Sequence, residues 1–169
     1  MVANTQNLHV KSQFLHLTQA IEIFHRKKND SSYYLPVEEF EKFKKIITAT
    51  IYNWPPEKQF REAFTQGKLK YANEFSLSTR FKKIISSLET NFKNNFFGNE
   101  REFINDVVIL RNNLIHQGSS DTDQSELKKL LKYTMQLSIL LSYLILTEIG
   151  IPKALVSKNL INRRKNHLS

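Results

Sequence analysis

The stretch Glu100-Arg101-Glu102-Phe103-Ile104-Asn105-Asp106-Val107-Val108-Ile109-Leu110-Arg111-Asn112-Asn113-Leu114-Ile115-His116 decides the fold. At about 100° per residue, Phe103, Val107, Leu110 and Leu114 fall on one apolar stripe of a helix. Ile104, Val108 and Ile115 form a second stripe, roughly 100° round from the first. An apolar arc of about 160° is wider than one bundle neighbour covers, so the second stripe is expected to face another helix or another protomer. Arg111 lies between the stripes, at the rim of such an interface. An isolated buried guanidinium is costly, so a partner is expected there, and an intrachain carboxylate would be the plainest one.

The same helical spacing recurs on both sides of this stretch. Val10, Phe14, Leu17, Ile21 and Phe24 predict a first helix from about Asn7 to Lys28, ended by Asn29 to Ser32. Pro36 suits the first position of a second helix through Phe40, Phe43, Ile47 and Ile51, which the Trp54-Pro55-Pro56 break closes. A third, shorter helix is expected from Glu57 to a stop at Gly67. Ser76 can cap a fourth through Phe81, Ile84, Ile85 and Leu88, and an Asn- and Phe-rich turn then leads to Gly98. Beyond His116, Gly118 and two serines form a stop. Asp123 with Glu126 resembles a capping box for a long sixth helix carrying Leu127, Leu130, Leu131 and the apolar run to Ile149. Pro152 opens a last, weaker helix. With only 4 Gly and 4 Pro in 169 residues, and no sustained alternation, the chain is predicted all-α, a single helical bundle.

Composition excludes several kinds of chemistry. The 169 residues contain no cysteine, which rules out a disulfide framework, a thiolate metal site and a cysteine nucleophile, and fits a reducing, cytoplasmic setting. His9, His16, His25, His116 and His167 have no metal-ligand spacing, so neither metal nor cofactor is expected. No Gly-rich phosphate loop, dinucleotide fingerprint or nucleophile elbow is present. Leu137 to Leu146 is about half the length a membrane span needs and is expected to be a buried helix, with no membrane partner. The net charge is +9, of which +5 lies in residues 150–169, on Lys153, Lys158, Arg163, Arg164 and Lys165 without any acid. Residues 1–150 are therefore expected to form the bundle and 151–169 a basic helix or tail, whose plainest form is a frayed, solvated terminus.

Polar residues on otherwise apolar helices are the candidates for function. Asn112 and His116 are four apart and share a face, where the amide can hydrogen-bond the imidazole or a bound phosphate. His116 stands in the last turn, where the helix dipole favours an imidazolium, and a last-turn His is equally a common C-terminal cap. On the first helix, Thr18 and His25 lie within the apolar arc and Glu22 at its margin. Glu22 is placed either to pair with Arg26 on the surface or to hold Arg111 or His116.

These residues together resemble the HEPN superfamily, whose motif is Arg, four to six residues, then His, often with a polar residue directly after the Arg. Arg111-Asn112-Asn113-Leu114-Ile115-His116 matches the four-residue spacing. Phe14-Leu15-His16-Leu17-Thr18-Gln19-Ala20-Ile21-Glu22-Ile23-Phe24-His25-Arg26 resembles the opening helix of ApeA-like HEPN domains of bacterial defence proteins. The likeness runs from about Leu8 to Ile149. It implies a HEPN-like helical bundle that forms a homodimer through the Arg111–His116 helix, and a metal-independent endoribonuclease acting on single-stranded RNA. By this resemblance Arg111 stabilises phosphorane charge, His116 transfers protons, Asn112 orients His116 or binds phosphate, and Glu22 supports the pair. ApeA-like domains usually follow a larger N-terminal region, so a regulatory domain or inhibitor outside this chain is a further expectation.

Two other readings remain open on sequence alone. One is a HEPN-type dimerisation or RNA-binding module without turnover, holding RNA through Arg163, Arg164 and Lys165. The other is a purely structural helical domain.

Overall fold

The computed structural model describes residues 2–28, 32–53, 57–116 and 124–166, with side chains described from residue 9 to residue 164 within those segments. Among them are eight α-helices: α1 (Val2–Lys28), α2 (Val37–Asn53), α3 (Lys58–Glu62), α4 (Leu77–Ser86), α5 (Thr90–Phe96), α6 (Glu100–His116), α7 (Gln124–Glu148) and α8 (Lys153–Asn166). No strand occurs among the described residues, where Tyr33 and Glu74 form a lone antiparallel bridge. The chain is all-α. It divides into two compact units, residues 1–25 with 77–169, and residues 26–76.

The first unit is built on α6 and α7. Asn99 caps α6, its Oδ1 accepting from the backbone N–H groups of Arg101 at 3.1 Å and Glu102 at 3.2 Å. Gly98 precedes it at φ 56°, a left-handed conformation that a side chain would strain. With Glu100 and Glu102 in the first turn, the carboxylates meet the positive end of the helix dipole. Phe103, Ile104, Val107 and Leu110 of α6 are buried, and so are Leu130, Tyr133, Leu137, Leu140, Tyr143 and Leu144 of α7. Phe14 and Ile21 from α1 and Phe81, Ile84 and Ile85 from α4 complete this core. By length and composition α7 could cross a bilayer, but its apolar run packs into the core, as expected for Leu137 to Leu146.

One expectation for this unit changes and another is narrowed. The Asn-rich segment before Gly98 is not a turn but helix α5, because Phe92 and Phe96, one turn apart, both point into the core. Phe92 meets Tyr143 at 4.4 Å and Phe96 at 4.7 Å between ring centroids, an aromatic contact that seven residues of helix suffice to hold. Of the two forms expected for the basic C-terminal segment, helix or frayed tail, the structure shows the helix, α8. Gly150, at φ 96°, ends α7, with the Gly150 N–H on the Thr147 carbonyl and the Ile151 N–H on that of Leu146. The Pro152 carbonyl then accepts from Leu155 and Val156, and α8 returns to the unit, burying Val156 and Ile161 in its core.

The second unit holds α2, α3 and the connections around them. The Pro36 carbonyl accepts from Phe40 N–H at 3.0 Å, so Pro36 stands just before α2 rather than within it. Gly67 does not stop the third helix. After α3 the chain continues through a π-helical segment, Ala63–Lys68, and a 3₁₀ turn, Leu69–Tyr71. Asn73 clasps the other side of the unit, with its side chain bonding both the N–H and the carbonyl of Leu35 at 2.9 Å. Arg26, at the end of α1, pairs with Glu74 at 2.9 Å. The expected Trp54-Pro55-Pro56 break, the Gly118 stop and the Asp123 cap lie outside the described residues, as does most of the Asn29 to Ser32 terminator.

Candidate active site at the end of α6

The last turn and a half of α6 changes character along its length. Leu110 is buried, Arg111 half-buried, and Asn112 and His116 are exposed. Of the second apolar stripe, Ile104 is buried, Val108 half-buried and Ile115 49% exposed, so the stripe opens to the surface beside Arg111. Ile109 is 47% exposed on the same helix. The surface around Arg111 therefore keeps apolar side chains that the chain itself does not cover.

Arg111 Nη1 donates to Asn112 Oδ1 at 3.1 Å. That bond engages the amide oxygen of Asn112 with the neighbouring guanidinium. No carboxylate pairs with Arg111 among the described residues, which leaves its charge available to an anion from outside. His116 sits at the C-terminal end of the same helix, one turn beyond Asn112. Arg111 and Asn112 thus form one accessible edge, and His116 shares the Asn112 face, five residues and about 140° round the helix from Arg111.

Glu22 is held elsewhere. Its Oε1 lies 3.8 Å from Nε of Arg80, a residue of α4 whose side chain is only 1% exposed. No hydrogen bond or ion pair joins Glu22 to Arg111 or His116 among the described residues. Within this chain Glu22 stands at Arg80. His25, 2% exposed, completes the group, with Nδ1 3.5 Å from Arg80 Nη1. Burial, and then the nearby charges of Arg80 and Lys83, push the His25 imidazole below its usual pKa, so it is neutral near pH 7 and presents Nδ1 as an acceptor. Thr18, also buried on this face of α1, donates to the Phe14 carbonyl at 2.8 Å.

Arg80 was missed by the sequence reading, yet its position carried a signal. It is three residues after Leu77 and four before Ile84, and so falls inside the apolar arc of α4. A cation at a core position calls for an anion on the facing helix, and Glu22 is that anion.

The basic residues of α8 divide. Arg163 and Arg164 are exposed, and the Arg164 guanidinium lies over the Phe96 ring, 5.4 Å from its centroid. The side chain of Lys165, the third expected RNA contact, lies outside the described residues. Among the described residues no group of three or more His, Cys, Asp or Glu stands together as metal ligands.

A family model described as Apea-like HEPN matches residues 15–155. That interval includes the first-helix motif from Leu15, the half-buried Glu22 with the buried His25 and Arg80, and the Arg111–His116 segment. No curated protein and no solved structure matches the chain.

Proposed function

The chain belongs to the Apea-like HEPN family, and from that premise we propose that it is a metal-independent endoribonuclease acting on single-stranded RNA in the cytoplasm, in defence or toxin-like RNA degradation. The observation that carries this reading is the accessible edge of Arg111 and Asn112, with Arg111 unpaired to any carboxylate among the described residues and His116 exposed one turn beyond Asn112. A phosphodiester fits such an edge, because a guanidinium with free donors binds phosphate oxygens in a fork.

The chemistry needs only the RNA and these side chains. The 2′-hydroxyl of one nucleotide attacks the adjacent phosphorus as its proton leaves, a P–O bond forms, and negative charge builds on the phosphorane oxygens. Arg111 stabilises that charge. The bond to the 5′-oxygen of the next nucleotide then breaks and that oxygen takes a proton, leaving a 2′,3′-cyclic phosphate and a 5′-hydroxyl. His116 moves a proton in one of these two transfers. Asn112 stands beside Arg111 and accepts from it. The open stripe through Val108 and Ile115 supports a homodimer in which two such edges share one cleft. Arg163 and Arg164 add a salt-sensitive hold on the strand.

The test is cleavage of single-stranded RNA in EDTA by the wild type, Arg111→Ala and His116→Ala. Loss of cleavage in both variants, with folding intact, is expected. RNA that is bound but never shortened by the wild type would instead favour a binding module without turnover.

A further inference from the structure

The long helix α7 has two apolar faces. One sends Leu137, Leu140 and Leu144 into the core, and the other, on the far side of the helix, carries Leu131, Met135, Ser138, Ser142, Ile145 and Ile149. The four large side chains of the outer face are between 47% and 69% exposed. Single exposed apolar residues are ordinary on a protein surface. These six positions, however, are spaced by four, three, four, three and four, the 3.5-residue repeat of a seam between two helices. From Leu131 to Ile149 the seam is about 27 Å long. It is separate from the Arg111 edge. Tyr133 of α7 bonds Asp106, and Arg111 stands five residues further on, about 140° round α6 from the side on which α7 lies.

The seam is symmetric about residue 140. Leu131 and Ile149 are nine residues from that position, Met135 and Ile145 five, and Ser138 and Ser142 two. Two copies of α7 laid antiparallel, with a two-fold axis at residue 140, therefore set Leu131 against Ile149 of the second copy, Met135 against Ile145 and Ser138 against Ser142, each layer occurring twice. Large side chains close the two ends, and small ones let the backbones approach at the axis. The Ser142 hydroxyl donates to the Ser138 carbonyl at 2.9 Å, so its proton needs no acceptor on the second copy.

Charge selects the same direction. Lys128 continues the seam three residues before Leu131, and Glu148 stands in the last turn of α7, where the helix dipole is already negative. In an antiparallel pair Lys128 comes to that negative end on the second copy. A parallel pair would set Lys128 beside Lys128 and Glu148 beside Glu148. We infer that the outer face of α7 pairs with that of a second copy of this chain, antiparallel and two-fold symmetric, through a surface distinct from the Arg111 edge. The pairing goes beyond the nuclease reading and needs neither RNA nor catalysis. A chain that also pairs through the Arg111 edge assembles as four copies.

Cysteine cross-linking tests the pairing directly, because the whole chain has no cysteine of its own. Leu131→Cys and Ile149→Cys, both at exposed positions, are purified with tags of different length, mixed under reducing conditions, oxidised and run on a non-reducing gel. The mixture should give the mixed disulfide, since the two positions oppose each other. Leu131→Cys alone should not link, since its two copies lie about 27 Å apart and a disulfide spans roughly 6 Å between Cα atoms. A link in Leu131→Cys alone, which a parallel pair would give, or no link in the mixture, would overturn the proposal. Sedimentation of the whole chain gives a second reading. Met135→Glu, which puts a carboxylate into two layers, should weaken association at least about tenfold, and Met135→Glu/Ile145→Lys, which sets opposite charges in those same layers, should recover most of it. That recovery distinguishes a contact between copies from a loss of folding. A mass that Met135→Glu leaves unchanged, or a double variant no better than the single one, would contradict the pairing. So would a wild type that stays monomeric and floats with phosphatidylcholine–phosphatidylglycerol vesicles, which would give the face to a lipid surface.

Discussion

Replacing Glu22 by glutamine removes a carboxylate that lies 3.8 Å from the Nε of a guanidinium that water barely reaches, since the Arg80 side chain is 1% exposed. Replacing Arg80 by methionine does the converse, leaving a carboxylate that is 21% exposed and can be hydrated. The two changes are therefore unequal. Breaking a buried pair by removing one partner costs about 3–5 kcal/mol, chiefly for the charge left behind. The cation is the more deeply buried partner, so Glu22→Gln should cost about 3 kcal/mol. Arg80→Met, which keeps much of the stem's volume, should cost about half as much. For a chain of this size about 3 kcal/mol corresponds to a fall in Tm of roughly 6–12 °C. Urea unfolding at pH 7, at one fixed protein concentration, measures both variants and the double variant Glu22→Gln/Arg80→Met, which should recover part of the Glu22→Gln loss. A cost below about 1 kcal/mol for Glu22→Gln, or a greater cost for Arg80→Met, would refute the view that Glu22 is there to neutralise a buried Arg80.

Other consequences follow from named groups. Burial and the charges of Arg80 and Lys83 lower the His25 pKa in the folded chain from 6.5, so the unfolded chain takes up the proton first as pH falls. The stability contributed by neutral His25 is complete above pH 6.5 and is lost as pH falls below it, and His25→Gln should flatten that part of a Tm-against-pH curve. Tyr133, 2% exposed, donates to Asp106 Oδ2 at 2.5 Å, and burial with the nearby carboxylates of Asp106 and Glu102 raises its pKa. Tyr133→Phe should cost about 1.5–2 kcal/mol in urea unfolding, and an unchanged midpoint would deny that bond any part in stability.

Much of the fold could be read from the periodicity of apolar residues, and the failures have physical causes. The helix Glu100–His116 was correct at both ends because its two stripes, acidic first turn and terminal His agree with one another. Helix α5 was hidden because Asn is a poor helix former, and seven residues are too few for a period to show, although Phe92 and Phe96 at a spacing of four were the clue. Gly67 was taken for a stop, yet it stands in a wide π-helical turn where a backbone without Cβ is simply tolerated. The helix that Pro152 was expected to open is α8, and Val156 and Ile161 bring it into the core.

The exposure of Asn112 and His116 on one face of α6, with Arg111 beside Asn112, was legible because all three are on one helix and their spacing follows from helical geometry alone. The position of Glu22 was not, because it depends on how α1 packs against α4. The resemblance on α1 pointed to a role for Glu22 without showing which cation it faces.

The most direct test of the nuclease reading is the chemistry of the ends produced. Single-stranded RNA is incubated in EDTA with the wild type and with His116→Ala, and the products are analysed by mass spectrometry. Fragments ending in 2′,3′-cyclic phosphate and beginning with 5′-hydroxyl, formed by the wild type and not by His116→Ala, are the predicted result. Intact RNA with the wild type, or fragments beginning with 5′-phosphate, would contradict it.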